Sequence, residues 1–148
     1  MTSTQRQLAA SDMSDILREL NDEDYDLFGG ARIEICDDIN EQREAGDHRA
    51  YAHVHHDDDA SADNVICVAM AFFDLPYANR MGLLWHEVGH WLDDEHGAYA
   101  LPGLHAEATE IYDDPDEALD QAAANSIVYV RYGRRIDYDE KGVQRLRP

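Results

Sequence analysis

The stretch Leu83-Leu84-Trp85-His86-Glu87-Val88-Gly89-His90-Trp91-Leu92 constrains this chain more than any other. Histidines spaced by four, with apolar residues in most of the remaining places, specify a helix. At about 100° per residue the two imidazoles fall about 40° apart on one face. Met81, Leu84, Trp85, Val88, Trp91 and Leu92 gather on the other side. Such a helix buries its apolar side and turns the histidines towards a cleft. Asp74 offers an N-cap and Pro76 a helix start, and the segment is expected to end near Asp93 or Gly97.

The flanking segments predict an α+β domain. Thr4–Leu20 has an amphipathic pattern through Leu8, Met13, Ile16, Leu17 and Leu20, and Asn21–Asp26 with Gly29-Gly30 is expected to break it. Three strands are expected over Ala31–Asp37, Ala50–His56 and Asn64–Phe73. The last is almost wholly apolar, as a strand buried on both faces would be. A loop through Pro102 and Gly103 precedes a C-terminal helix, which opens at Asp114-Pro115 and is stopped by Gly133 after Tyr132. Leu119, Ala123, Ile127 and Val130 read as the core stripe of that helix. Residues 1–148 are read as one domain, with 1–14 and 134–148 as flexible tails.

Charge narrows the setting. The chain carries 32 Asp+Glu against 12 Lys+Arg, a net charge of −20, and its one lysine is Lys141. An acidic, lysine-poor surface stays hydrated in molar salt, where repulsion is screened within about 3 Å. The pattern resembles haloarchaeal proteins and points to a halophilic host or its virus. It argues against nucleic acid as the main partner, which needs a basic face. The arginines of the C-terminal segment are interrupted by Asp137, Asp139 and Glu140 and read as a solvated or docking tail. No apolar run reaches the length of a membrane span, and the first residues lack a signal peptide's apolar core, so the expected location is the cytoplasm. Cys36 and Cys67 are expected as buried free thiols there, with a strand-to-strand disulfide as the alternative.

His86-Glu87-x-x-His90 has the chemistry of a zinc site. Two imidazoles on one helix face can reach one ion at ~2.1 Å, and Glu87, next to the first, can take a proton from a water held there. In this motif the chain resembles the zincin metallopeptidases. The resemblance implies that His86 and His90 bind Zn²⁺, that Glu87 is the catalytic base, and that the substrate lies against a strand like Asn64–Phe73.

The third ligand has two readings. In gluzincin-like proteins an acidic residue on the next helix completes the site, and here Asp116-Glu117-Ala118-Leu119-Asp120-Gln121-Ala122-Ala123-Ala124-Asn125 opens such a helix. The arrangement is similar to the small metallo-endopeptidases of the ImmA/IrrE family over about Asn64–Tyr132, although Asp120-Gln121 replace that family's Ala-Asn. This implies Glu117 as the ligand, with Asp116 as a substitute. Alternatively, His86-Glu87-x-x-His90-x-x-Asp93-x-x-His96 has the spacing of the metzincin motif, with His96 as third ligand. There Asp93 stands where a glycine lets the chain leave the helix. Tyr99, His105 and Tyr112 are candidate stabilisers of the developing oxyanion, and His53, His55 and His56 are candidates for a second role.

These readings imply a zinc-dependent peptidase acting on a protein or peptide, such as a transcriptional repressor. The alternative is a non-catalytic zincin-fold subunit or adaptor of a virion or other large assembly, with zinc kept for stability.

Overall fold

The computed structural model describes residues 1–35, 52–55, 65–96, 100–138 and 144–147, and the architecture is mixed helix and strand. The chain divides into two compact units, 1–81 with 138–144, and 82–137 with 145–148.

In the first unit, helix α1 (Ser3–Leu17) is started by Thr2, whose Oγ1 accepts from Gln5 N–H while Gln5 Oε1 accepts from Thr2 N–H. This reciprocal cap satisfies two donors that a helix otherwise leaves orphaned. Positions expected as an N-terminal tail are therefore helical. Helix α1 stops at Leu17, ahead of the expected breaker Asn21–Asp26, but that segment itself opens a second helix. Asn21 caps Asp24 N–H at 2.8 Å, and Asp22, Glu23 and Asp24 complement the positive end of helix α2 (Asp22–Phe28).

Strand β1 (Arg32–Ile35) pairs in parallel with β3 (Val65–Val68), and β3 pairs antiparallel with β2 (Ala52–His55). Central β3 is buried at every position, as its unbroken apolar run requires. That run contains less strand than its composition suggests. From Met70 to Asp74 it tightens into a 3₁₀ turn that buries Phe72 edge-on to Phe73 and leaves Met70 exposed. Asp74 thus closes this turn, and the Pro76 carbonyl accepts the first bond of helix α3 (Tyr77–His96) from Arg80 N–H.

A buried ion pair fixes the start of α3 within this unit. Arg80 Nε donates to Asp12 Oδ2 at 2.8 Å and its Nη1 donates to the Leu75 carbonyl at 2.7 Å. Both side chains are nearly inaccessible. Cys67 is disulfide-bonded rather than a free thiol; Cys36, the only other cysteine, lies outside the described residues.

The second unit holds the rest of α3, helix α4 (Pro102–Ile111) and helix α5 (Pro115–Tyr132). The Pro102-Gly103 segment is helical because proline at the first helical position lacks only a donor that would be orphaned anyway. Helix α5 starts on an Asp114 cap and ends at Gly133, whose φ of 66° is left-handed. Of the expected stripe Ala123 is buried, Leu119 and Ile127 are half-buried and Val130 is exposed, and Ala118, Ala122 and Ala124 are also inside. A small residue is needed at Ala124 because α3 passes very close: a Cβ on Gly89 would lie 2.9 Å from Ala124 Cα. Ala118 and Ala122 pack instead with Ala108 of α4. The segment after Gly133, expected as a tail, forms β4 (Arg135–Tyr138) paired with β5 (Gln144–Arg147).

Two stability outcomes follow from these contacts. Gly89→Ala gains about 1 kcal/mol of helix propensity, but overpacking against backbone costs ~1–3 kcal/mol, so a net loss is expected and a larger one for Gly89→Val. Asp12→Ala strands a buried guanidinium and is expected to cost ~3–5 kcal/mol. Thermal melts of the three variants check both, and an unchanged or raised midpoint for Gly89→Val would contradict the close packing.

Candidate metal centre

The approach of Gly89 to Ala124 sets a polar row of α5 against the histidine face of α3. The contacts run in opposite chain order, so the helices are antiparallel here. Arg131 lies over the Trp85 ring at 3.5 Å, Gln121 and Asn125 meet His86, and Asp120 meets His90. His86 and Glu87 are only 4% and 3% exposed, and it is the side chains of α5 that meet the two histidines, where the helical pattern suggested an open cleft. The two imidazoles stand edge to face with ring centroids 4.8 Å apart.

The amide of Asn125 decides the tautomer of His86. Its Nδ2 donates to the Ile136 carbonyl at 3.2 Å and its Oδ1 accepts from Ile136 N–H at 3.0 Å, so its orientation is fixed by the backbone of β4. The same Oδ1 lies 3.0 Å from His86 Nδ1, which must therefore carry the hydrogen. Burial, with the nearby His90 adding to it, drives the His86 pKa from 6.5 down to about 3, so the ring is neutral and Nε2 keeps its lone pair. That lone pair faces Gln121 Oε1 at 3.1 Å. In this orientation Gln121 Nε2 donates to the Glu117 carboxylate at 3.1 Å. Two acceptors therefore face each other, an arrangement that a cation satisfies.

His90 is oriented in the same sense. Its Nδ1 lies 3.0 Å from Asp120 Oδ1, leaving Nε2 as the remaining nitrogen. Burial works to lower its pKa, but the hydrogen bond to Asp120 and the charges of Glu87, Asp120 and Glu117 outweigh it, and the value is raised. For Asp120, burial acts upward, while bonding to His90 and the positive charge nearby hold its pKa below the usual carboxylate value. Each histidine thus has its Nδ1 committed to a partner on α5, as carboxylates and amides do for metal-bound imidazoles.

Among the described residues, no group of three His, Cys, Asp or Glu side chains is disposed to hold a metal ion. The donor set nonetheless suits zinc, with two imidazoles, Glu117 one hydrogen bond from the His86 lone pair, and Asp120 on His90. Asp116 is exposed in the first turn of α5, and its N–H is taken by the Asp114 cap. His96 is not brought to the pair. Helix α3 continues through Asp93, so His96 is exposed at its end, about 9 Å along the axis and ~120° round from His90. His105 is half-buried on α4, and Tyr112 packs on Ala108, Ala118 and Ala122. Tyr99 and His56 lie outside the described residues. His53 and His55 sit on β2, with Cα positions opposite Cys67 and Val65.

Local sequence does not mark Asp120, Gln121 and Asn125 as partners of the histidines. The signal for them was Gly89 with Ala124: once two small residues mark the crossing, the polar residues one helical turn before Ala124 and next to it must meet the histidines.

No family model, curated protein or solved structure matches the chain, so its chemistry rests on this geometry. The geometry sets the acid sensitivity of the zinc-free protein. Because the folded pKa of His86 lies below the unfolded one, the unfolded chain binds the proton first between about pH 6.5 and pH 3. The contribution of His86 is therefore complete above pH 6.5 and is lost as pH falls through that window. His90 acts in the opposite sense, its contribution being lost as pH rises through its raised pKa. Urea midpoints at pH 7 and pH 5 should show a smaller acid-induced loss in His86→Asn than in wild type; an equal loss would contradict the buried neutral ring.

Proposed function

We propose that the chain is a zinc-dependent peptidase of zincin type, with His86 and His90 as metal ligands, a third ligand from α5, and Glu87 as catalytic base. The observation that carries this reading is the commitment of both Nδ1 atoms to α5, which leaves the Nε2 atoms of an HExxH pair for a metal. Glu117 is the favoured third ligand because Gln121, which now links it to His86, can turn aside once a cation takes its place.

A zinc ion bound there would supply Lewis-acid polarisation of a peptide carbonyl and lower the pKa of a bound water towards ~7. Asp120 and Asn125 hold the imidazoles in the tautomer that binding requires. Glu87, buried beside His86, accepts the proton of the attacking water and delivers it to the leaving amine nitrogen. The substrate class is a protein or peptide. The acidic, lysine-poor composition favours a halophilic setting, so assays belong in molar KCl.

A zinc-stabilised subunit of a larger assembly is the second reading. It draws on Tyr129, Val130 and Tyr132, which are exposed together at the end of α5.

Metal analysis and cleavage assays on the same preparations separate the two. About one zinc per chain is expected in wild type, retained in Glu87→Gln and His96→Ala and lost in Glu117→Ala. Glu87→Gln should cut hydrolysis of an unfolded protein substrate by about 10²-fold or more. Zinc without hydrolysis in wild type would favour the structural subunit, and no zinc after reconstitution would remove both readings.

A further inference from the structure

Cations are scarce in this chain, yet three of them line one feature of the first unit. Arg6, Arg18 and Arg32 border an open cavity of about 420 Å³ bounded by α1, α2 and β1. Its floor is apolar, with Ala9, Met13 and Ile33 buried and Leu17 half-buried, and Tyr25, 51% exposed, forms part of its wall. Arg6 has no ion-pair partner among the described residues. Arg18 pairs with Asp15 and Arg32 with Glu34, both on the surface, where such pairs contribute little and are readily exchanged.

The spacing of the charges selects the ligand. Arg6 and Arg18 are twelve residues apart along α1, which is ~18 Å of helix axis, and the apolar floor lies between them. A small amphiphile has one headgroup and engages one end. An extended peptide advances about 3.3 Å per residue, so a segment of about six residues reaches both. We propose that this groove binds an extended peptide whose acidic side chains lie at its two ends and whose apolar side chains lie between them. Carboxylates at the ends meet Arg6 and Arg18 in charge-assisted hydrogen bonds, and the apolar residues cover Ala9, Met13 and Leu17. The proposal stands whether or not the chain binds zinc.

The test is fluorescence anisotropy on the full chain, at one fixed KCl concentration, with a labelled heptapeptide Glu-Ala-Leu-Ala-Leu-Ala-Glu, whose two Glu and two Leu share one face of an extended chain. A counterpart with Gln at both ends and decanoate as competitor complete the set. Saturable binding of the acid-ended peptide is expected, with the Gln-ended one at least about tenfold weaker. Arg6→Gln and Arg18→Gln, both at exposed positions, should each weaken the acid-ended peptide by about tenfold with an unchanged circular dichroism spectrum. Absence of saturable binding, equal affinity for both peptides, or indifference to both substitutions would overturn the proposal. Decanoate binding that depends on a single arginine would overturn it in favour of a small amphiphile. Self-association lost in both variants would overturn it in favour of a second copy of the chain.

Discussion

The second unit depends on how closely α3 and α5 pass at Gly89 and Ala124. With a side chain at Gly89 the helices would separate, and the polar atoms that now meet at about 3.0 Å would lose their partners. The same approach explains Ala124, whose small side chain lets the two backbones come together, while Ala118 and Ala122 pack with Ala108 of α4 and large residues such as Trp85 and Leu84 complete the interior. Arg131 over the Trp85 ring extends the contact at one end and Asp120 with His90 at the other.

Burying His86 and Glu87, and half-burying His90, Asp120, Gln121 and Asn125, costs free energy unless each group is satisfied. Here the satisfaction is directional. The backbone of Ile136 fixes Asn125, Asn125 fixes the His86 tautomer, and Asp120 holds His90. Glu117 fixes Gln121, and the outcome is an acceptor set against an acceptor at His86 Nε2. The two facing acceptors at His86 Nε2 are the feature on which the zinc proposal draws. The buried disulfide-bonded strand and the Asp12–Arg80 pair play no part in this chemistry; they give the first unit its own internal order.

Much of this was legible in the sequence, and the reasons for what was not are physical. The HExxH helix, the capped start of α5 and its glycine stop rest on local signals: four-residue spacing, an Asp-Pro cap and a left-handed Gly133. Apolar runs misled because composition does not separate strand from turn, and Asn64–Phe73 contains both. Acidic Asp22–Asp24 looked like a breaker only while the Asn21 cap and the helix dipole were left out of account. At the site, Glu117 stood out because it opens the helix, whereas Asp120 and Asn125 acquire their role from a crossing point on another helix. His96 matched a spacing, but spacing along a continuing helix carries it away from the pair.

The central claim is that both histidines bind one zinc through the nitrogen not committed to α5. X-ray absorption at the zinc edge, on protein loaded with one equivalent, tests it most directly. A shell of nitrogen and oxygen at about 2.0–2.1 Å with multiple scattering from two imidazoles is expected, both lost in the His86→Asn, His90→Asn double variant. A shell of oxygen alone, or one unchanged in that variant, would contradict it.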